Sequence, residues 1–170
     1  MNEKFILDAC CGGKCFWFDK NHKNTIYIDN RIREKGHDKQ RPNHEIKPDI
    51  VMDFRDLKFP DKTFKLIVYD PPHLIGKPDN CILTRKYGYL NKETWREDIL
   101  KGFNECYRVL EDYGILIFKW SEISIKKKEV LNLLPIKPLF GNHILSKTNS
   151  VWFCFMKIPK SSVINLPTSN

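Results

Sequence analysis

The sequence predicts a single α/β domain whose βαβ units surround a largely parallel sheet. Three observations carry this. Short apolar runs rich in β-branched and aromatic residues recur between residues 4 and 158. Segments with helical spacing of apolar residues fall between them. The 170 residues suit one domain and can bury a full core.

The elements follow in order. Residues 4–9, KFILDA, form a first strand that runs into a glycine turn. Residues 13–21 are expected to make a short helix. Residues 25–29, TIYID, give a second strand, and residues 49–53, DIVMD, a short third. Residues 64–70, FKLIVYD, form the clearest strand. In residues 92–110, Trp95, Ile99, Phe103, Cys106 and Leu110 recur at spacings of three and four, which marks an amphipathic helix. Residues 113–120, YGILIFKW, give a fifth strand. Residues 126–134 form a short helix that Pro135 stops. Residues 150–158, SVWFCFMKI, close the sheet. The domain is placed at residues 1–160, with 161–170 a flexible tail. There is no internal repeat and no linker between domains. Two connections stand apart: the basic stretch 30–48 and the long stretch 73–92, which carries Gly, Pro, Lys, Arg and Tyr.

Hydrophobic residues at 41% and charged residues at 29% are ordinary for a globular domain. No apolar run is long enough to span a membrane and no leader is evident, so a cytoplasmic protein is expected. The six cysteines form no paired CxxC motif, so reduced thiols and no metal centre are expected; Cys10, Cys11 and Cys15 pack a tight turn. The net charge of +8 favours a polyanionic partner.

The chemistry concentrates at the strand ends. Asp8, Asp29 and Asp53 each close a strand, and Gly12 and Gly13 follow the first, where glycine permits a sharp turn and close backbone approach. Asp29 follows Asp8 by 21 residues, near the roughly 20-residue spacing at which an acid reaches ribose hydroxyls in nucleotide-binding folds. Asp53 stands where it could accept from an adenine amino group. Residues 69–74 read YDPPHL. Two prolines stiffen this loop, so Asp70 and His73 sit on a rigid backbone. The glycine turn is not the G-x-G-x-x-G of dinucleotide sites.

LDACCGG, YID, MDFRD and YDPPH, in this order, resemble the motifs of class I S-adenosylmethionine-dependent methyltransferases. DACCGG is similar to the glycine loop of those that act on amino groups of nucleic acid, and DPPH to their Asp-Pro-Pro-aromatic motif. The resemblance covers residues 4–158. It implies a Rossmann-like, doubly wound sheet of about seven strands, mostly parallel, with the last strand antiparallel. It implies S-adenosylmethionine at the strand tips. Asp8 with the Cys10, Cys11, Gly12 and Gly13 loop would bracket the amino-acid part, Asp29 the ribose, and Asp53 with Phe54 the adenine, beside Asp70. Asp70 and the Pro71 carbonyl would then hold an acceptor amine, with Pro72 fixing the angle. His73 would stack on a flipped base or relay a proton. The family carries a larger aromatic residue at that fourth position.

Lys119, at the end of the fifth strand, is similarly placed to the lysine of ribose 2′-O-methyltransferases, but no acid in 146–152 completes that set. Trp120 is a candidate stacking surface or a packing residue. Arg85, Lys86, Tyr87 and Tyr89 interleave charge with rings, as phosphate contact and base stacking require. The expected activity is methylation of a nucleobase amino group, adenine N6 foremost, in DNA or RNA. The alternatives are ribose 2′-O or small-molecule methylation, or a non-catalytic cofactor-binding subunit. A target-recognising protein partner is possible and no membrane contact is expected.

Overall fold

The computed structural model of the chain describes residues 4–76, 82–142 and 150–159. Their elements are β1 (Ile6–Asp8), β2 (Thr25–Asp29), β3 (Ile50–Val51), β4 (Phe64–Tyr69), α1 (Ile82–Tyr87), α2 (Trp95–Val109), β5 (Leu110–Ser121), α3 (Lys127–Leu133), β6 (Phe140–Gly141) and β7 (Ser150–Met156). All seven strands share one sheet in the order β3-β2-β1-β4-β5-β7-β6. Strands β1 to β5 pair in parallel, and β7 runs antiparallel to both of its neighbours. This is the expected Rossmann-like arrangement, including the reversed last strand.

Strand alternation sorts the side chains into two faces. Leu7, Ile28, Ile67, Tyr69, Leu116, Phe118, Trp120, Val151, Phe153 and Phe155 join one core cluster with Ile99, Phe103, Cys106 and Val109 of α2 and Val130 of α3. The predicted stripe of the long helix is therefore the buried one. Gly102 lets α2 approach: a Cβ there would lie 2.4 Å from both a Phe54 ring carbon and the Tyr69 hydroxyl. Tyr69 in turn donates to the Ile99 carbonyl at 3.3 Å.

The other face departs from strand–helix alternation. The crossovers after β1, β2 and β3 carry no helix. The helix expected over 13–21 is a series of turns, for a physical reason. Gly12 and Lys14 take φ of +48° and +52°, the left-handed region that a right-handed helix cannot contain. The chain then folds back onto the sheet. The Trp17 indole N–H donates to Asp8 at 2.7 Å, and its ring meets the Tyr27 ring edge-on at 5.1 Å between centroids. Lys14 lies 3.8 Å from the Tyr27 ring centre.

Two elements were not foreseen. Helix α1 lies within the long 73–92 connection, whose residues 77–81 fall outside the described chain; the two-residue β6 covers part of one β7 edge. The tail 161–170 and residues 146–149 of the 146–152 stretch also fall outside it. Among the described residues no helix is long and apolar enough to cross a membrane.

Candidate active site

Register builds the site. Tyr69 pairs with Phe118, so Asp70, one residue past the end of β4, comes beside Lys119. Lys119 pairs with Trp152 across β5 and β7. Asp70, Lys119 and Trp152 thus form a row on the sheet face away from α2. The Lys119 ammonium donates to Asp70 Oδ2 at 2.8 Å. It also lies 5.8 Å from the Phe16 ring centre and 5.9 Å from that of Trp152. Asp70 Oδ1 is buried and has no partner among the described residues. Burial raises the Asp70 pKa, and the charge and hydrogen bond of Lys119 oppose that rise.

A cavity of about 940 Å³ opens over these strand ends, near the upper end of the range for ligand pockets. Cys10, Cys11, Gly12, Gly13, Asp29, Phe54, Asp70, Pro71, Pro72, His73, Arg85, Lys86, Tyr87 and Lys119 all line it. Most of the predicted site residues are therefore brought together.

Three are not. Asp8 is fully buried behind the glycine turn, where it accepts from the Trp17 indole and from the Cys10 N–H at 3.2 Å. It shapes the turn from beneath. Asp53 does not line the cavity, and Arg55 clamps its carboxylate at 2.6–3.2 Å. Trp120 is fully buried in the core with its indole N–H given to the Ile125 carbonyl, which corrects its reading as a substrate contact.

Arg55 also donates to Asp98 at 2.7 Å, and Thr94 bonds the other Asp98 oxygen at 2.8 Å. Arg55, Asp98 and Thr94 line the cavity around Phe54. At the β2 tip the same pattern recurs. Asp29 accepts from the Gly12 N–H at 3.0 Å and from the backbone, Nε and Nη2 of Arg31 at 3.0, 2.9 and 3.1 Å. A ligand here meets an ion pair rather than a bare carboxylate. The signal was present in the sequence as a repeated Asp-x-Arg, at 29–31 and 53–55.

His73 is only 6% exposed. Its ring packs on Tyr87 at 5.7 Å and edge-on to Trp120 at 6.3 Å. Burial lowers its pKa, so it stands as a neutral brace of the proline loop. A ring packed this way has little free face for a flipped base. In α1, Arg85 pairs with the buried Asp38 at 3.7 Å, and Lys86 donates to the Tyr87 hydroxyl at 2.7 Å. Among the described residues no group of three or more His, Cys, Asp or Glu could hold a metal ion.

No family model matches the chain, and no curated protein matches it in sequence. Solved structures do. A SAM-dependent methyltransferase from Methanosarcina mazei aligns over 93% of this chain and 94% of its own, with TM-score 0.54 and 12% identity. The N-methyltransferase NodS from Bradyrhizobium japonicum aligns over 91% and 84%, with TM-score 0.54 and 15% identity. An rRNA methylase from Streptococcus thermophilus aligns over 93% and 89%, with TM-score 0.52 and 12% identity. Likeness at such identities speaks of architecture, because one fold hosts many activities. The chain has the seven-stranded, Rossmann-like α/β fold of these methyltransferases.

Proposed function

We propose that the chain is an S-adenosylmethionine-dependent methyltransferase acting on an exocyclic amino group of a nucleobase, adenine N6 foremost, in RNA or DNA. One observation carries the reading: Asp70, on a double-proline loop at the cavity, has Oδ2 held by Lys119 and Oδ1 free to accept. The fold neighbours, two named for SAM-dependent or N-methyl transfer and one for rRNA, agree with it.

The cavity residues fit the cofactor. The turn at Gly12 and Gly13 brings backbone to the cavity edge, the Asp29–Arg31 pair offers both donor and acceptor to ribose hydroxyls, and Phe54 gives an apolar wall for adenine. When bound, the cofactor supplies an activated methyl group on a sulfonium. The protein's part is alignment and exclusion of water. Asp70 Oδ1 and the Pro71 carbonyl accept the two amine hydrogens, which turns the nitrogen lone pair toward the methyl carbon. Asp70 Oδ1 would then take the proton that this nitrogen sheds as it gains the methyl group that the bound cofactor supplies. The Lys119 ammonium beside Asp70 disfavours a cationic acceptor such as a protein lysine and suits a neutral base amine.

One observation favours a second reading. The Lys119–Asp70 contact at 2.8 Å resembles the pairing of ribose 2′-O-methyltransferases. Nucleoside analysis of methylated RNA and DNA oligonucleotides separates the two, since N-methyladenosine supports the first and 2′-O-methyl nucleosides the second. The cofactor is tested by calorimetry. S-adenosylmethionine should bind the wild type, and Asp29→Ala should weaken it about 10- to 100-fold, the loss expected for hydrogen bonds to a charged group. Unchanged binding by the variant would remove Asp29 from the ribose site. A wild type that binds no cofactor would overturn the proposal.

A further inference from the structure

We infer that Trp152, seated against Phe16, is the stacking wall for the acceptor base, in the place that the buried His73 leaves open. The inference rests on the nucleobase reading above. It begins from a mismatch. The ring that follows the double proline is packed between Tyr87 and Trp120, yet a base presented to Asp70 needs an apolar face to replace the stacking it loses when splayed out.

Trp152 supplies one. Strand register sets it opposite Lys119, which itself contacts Asp70. Both Trp152 and Phe16 line the cavity and are only half-buried. Their rings meet edge to face at 5.5 Å and an interplanar angle of 89°, a favourable geometry that fixes each ring against the other. Backbone bonds hold the tryptophan from below: its N–H donates to the Asn142 side-chain oxygen, and its carbonyl accepts from the Asn142 N–H at 3.2 Å. The other end of the cavity, around Phe54, Arg55 and Asp98, lies at the β3 tip. The adenosine of the cofactor and the acceptor base therefore have separate ends, with Asp70 and Lys119 between them.

The chemistry selects a class of acceptor. An indole face beside an ammonium favours a planar, neutral, electron-rich ring. An anionic backbone on that ring suits the basic surface of a chain with net charge +8. A single-stranded or flipped-out base meets both demands, and a stacked duplex base cannot reach the wall without leaving its neighbours.

The test measures binding of a labelled single-stranded oligoadenylate by fluorescence anisotropy, with S-adenosylhomocysteine present, to the full chain. Trp152→Ala is expected to raise Kd roughly 5- to 150-fold, the loss seen when a base-stacking aromatic is truncated. Trp152→Phe, which keeps a ring, is expected to recover most of the affinity. S-adenosylhomocysteine binding, read by calorimetry, should stay at the wild-type value in both variants. Oligonucleotide binding unchanged in Trp152→Ala, or Trp152→Phe no better than Trp152→Ala, overturns the inference and leaves the nucleobase reading standing. A wild type that takes the cofactor product but no oligonucleotide overturns both.

Discussion

Asp70→Ala is expected to lower methyl transfer on the order of 10³-fold and to leave cofactor affinity close to wild type. The reason is local. Asp70 Oδ1 is the free buried acceptor among the described residues at the centre of the cavity, and no neighbouring carboxylate can replace it. Asp29 ends β2, two strands away from the β4 end that carries Asp70, and Asp98 is occupied by Arg55 and Thr94. The same change strands the Lys119 ammonium, whose side chain is 17% exposed. Losing the partner of a buried charge costs about 3–5 kcal/mol, so a loss of activity could reflect a damaged fold. Asp70→Ala combined with Lys119→Met removes both charges and separates the two effects. The double variant should melt near the wild type and remain inactive. An active Asp70→Ala enzyme would refute the catalytic role.

Lys119→Met alone has a signed consequence. Burial raises the Asp70 pKa and Lys119 is the main influence lowering it. Without that charge the carboxyl moves further up, and the acid limb of kcat/KM should shift to higher pH. An acid limb that stays in place would mean that Lys119 positions Asp70 without tuning it.

How much of this was legible depended on distance along the chain. The longer strands were readable because their buried residues show in the local pattern; FKLIVYD placed β4 and Asp70 together, whereas the two-residue β6 has no such pattern. The long helix was readable for the same reason. Contacts that only register creates were not. Phe16 lies in an irregular turn and Trp152 in the last strand, and nothing local tells that both meet Lys119. The short helix expected over 13–21 is absent because Gly12 and Lys14 adopt left-handed backbone and Trp17 is spent on Asp8, neither of which a local apolar pattern shows. The Asp53–Arg55 pair was within local reach, two residues apart, but its turn away from the cavity lining depends on the fold. Helix α1 is six residues long, too short to show a period.

Asp8→Asn is expected to stabilise the protein at pH 8 and to flatten its pH dependence. Asp8 is fully buried, and burial pushes its carboxyl up to about 7. The Trp17 and Cys10 hydrogen bonds pull the other way, while Asp70 and Asp29 add to the rise. The sign follows. An unfolded aspartate has a pKa of about 3.9, so between about pH 4 and 7 the folded chain holds a proton that the unfolded chain has released. This group's contribution to stability therefore falls across that window and levels off above it. At roughly 1.4 kcal/mol per pKa unit, the wild type stands to lose up to about 4 kcal/mol. An asparagine carries no charge to bury, and its carbonyl can still accept from the Trp17 indole. Urea unfolding at pH 5 and pH 8 measures the effect. The wild type should lose midpoint between the two, and Asp8→Asn should lose much less. Parallel losses would mean that Trp17 and Cys10 keep Asp8 ionised at both pH values, and that the glycine turn rests on a charged acid rather than a protonated one.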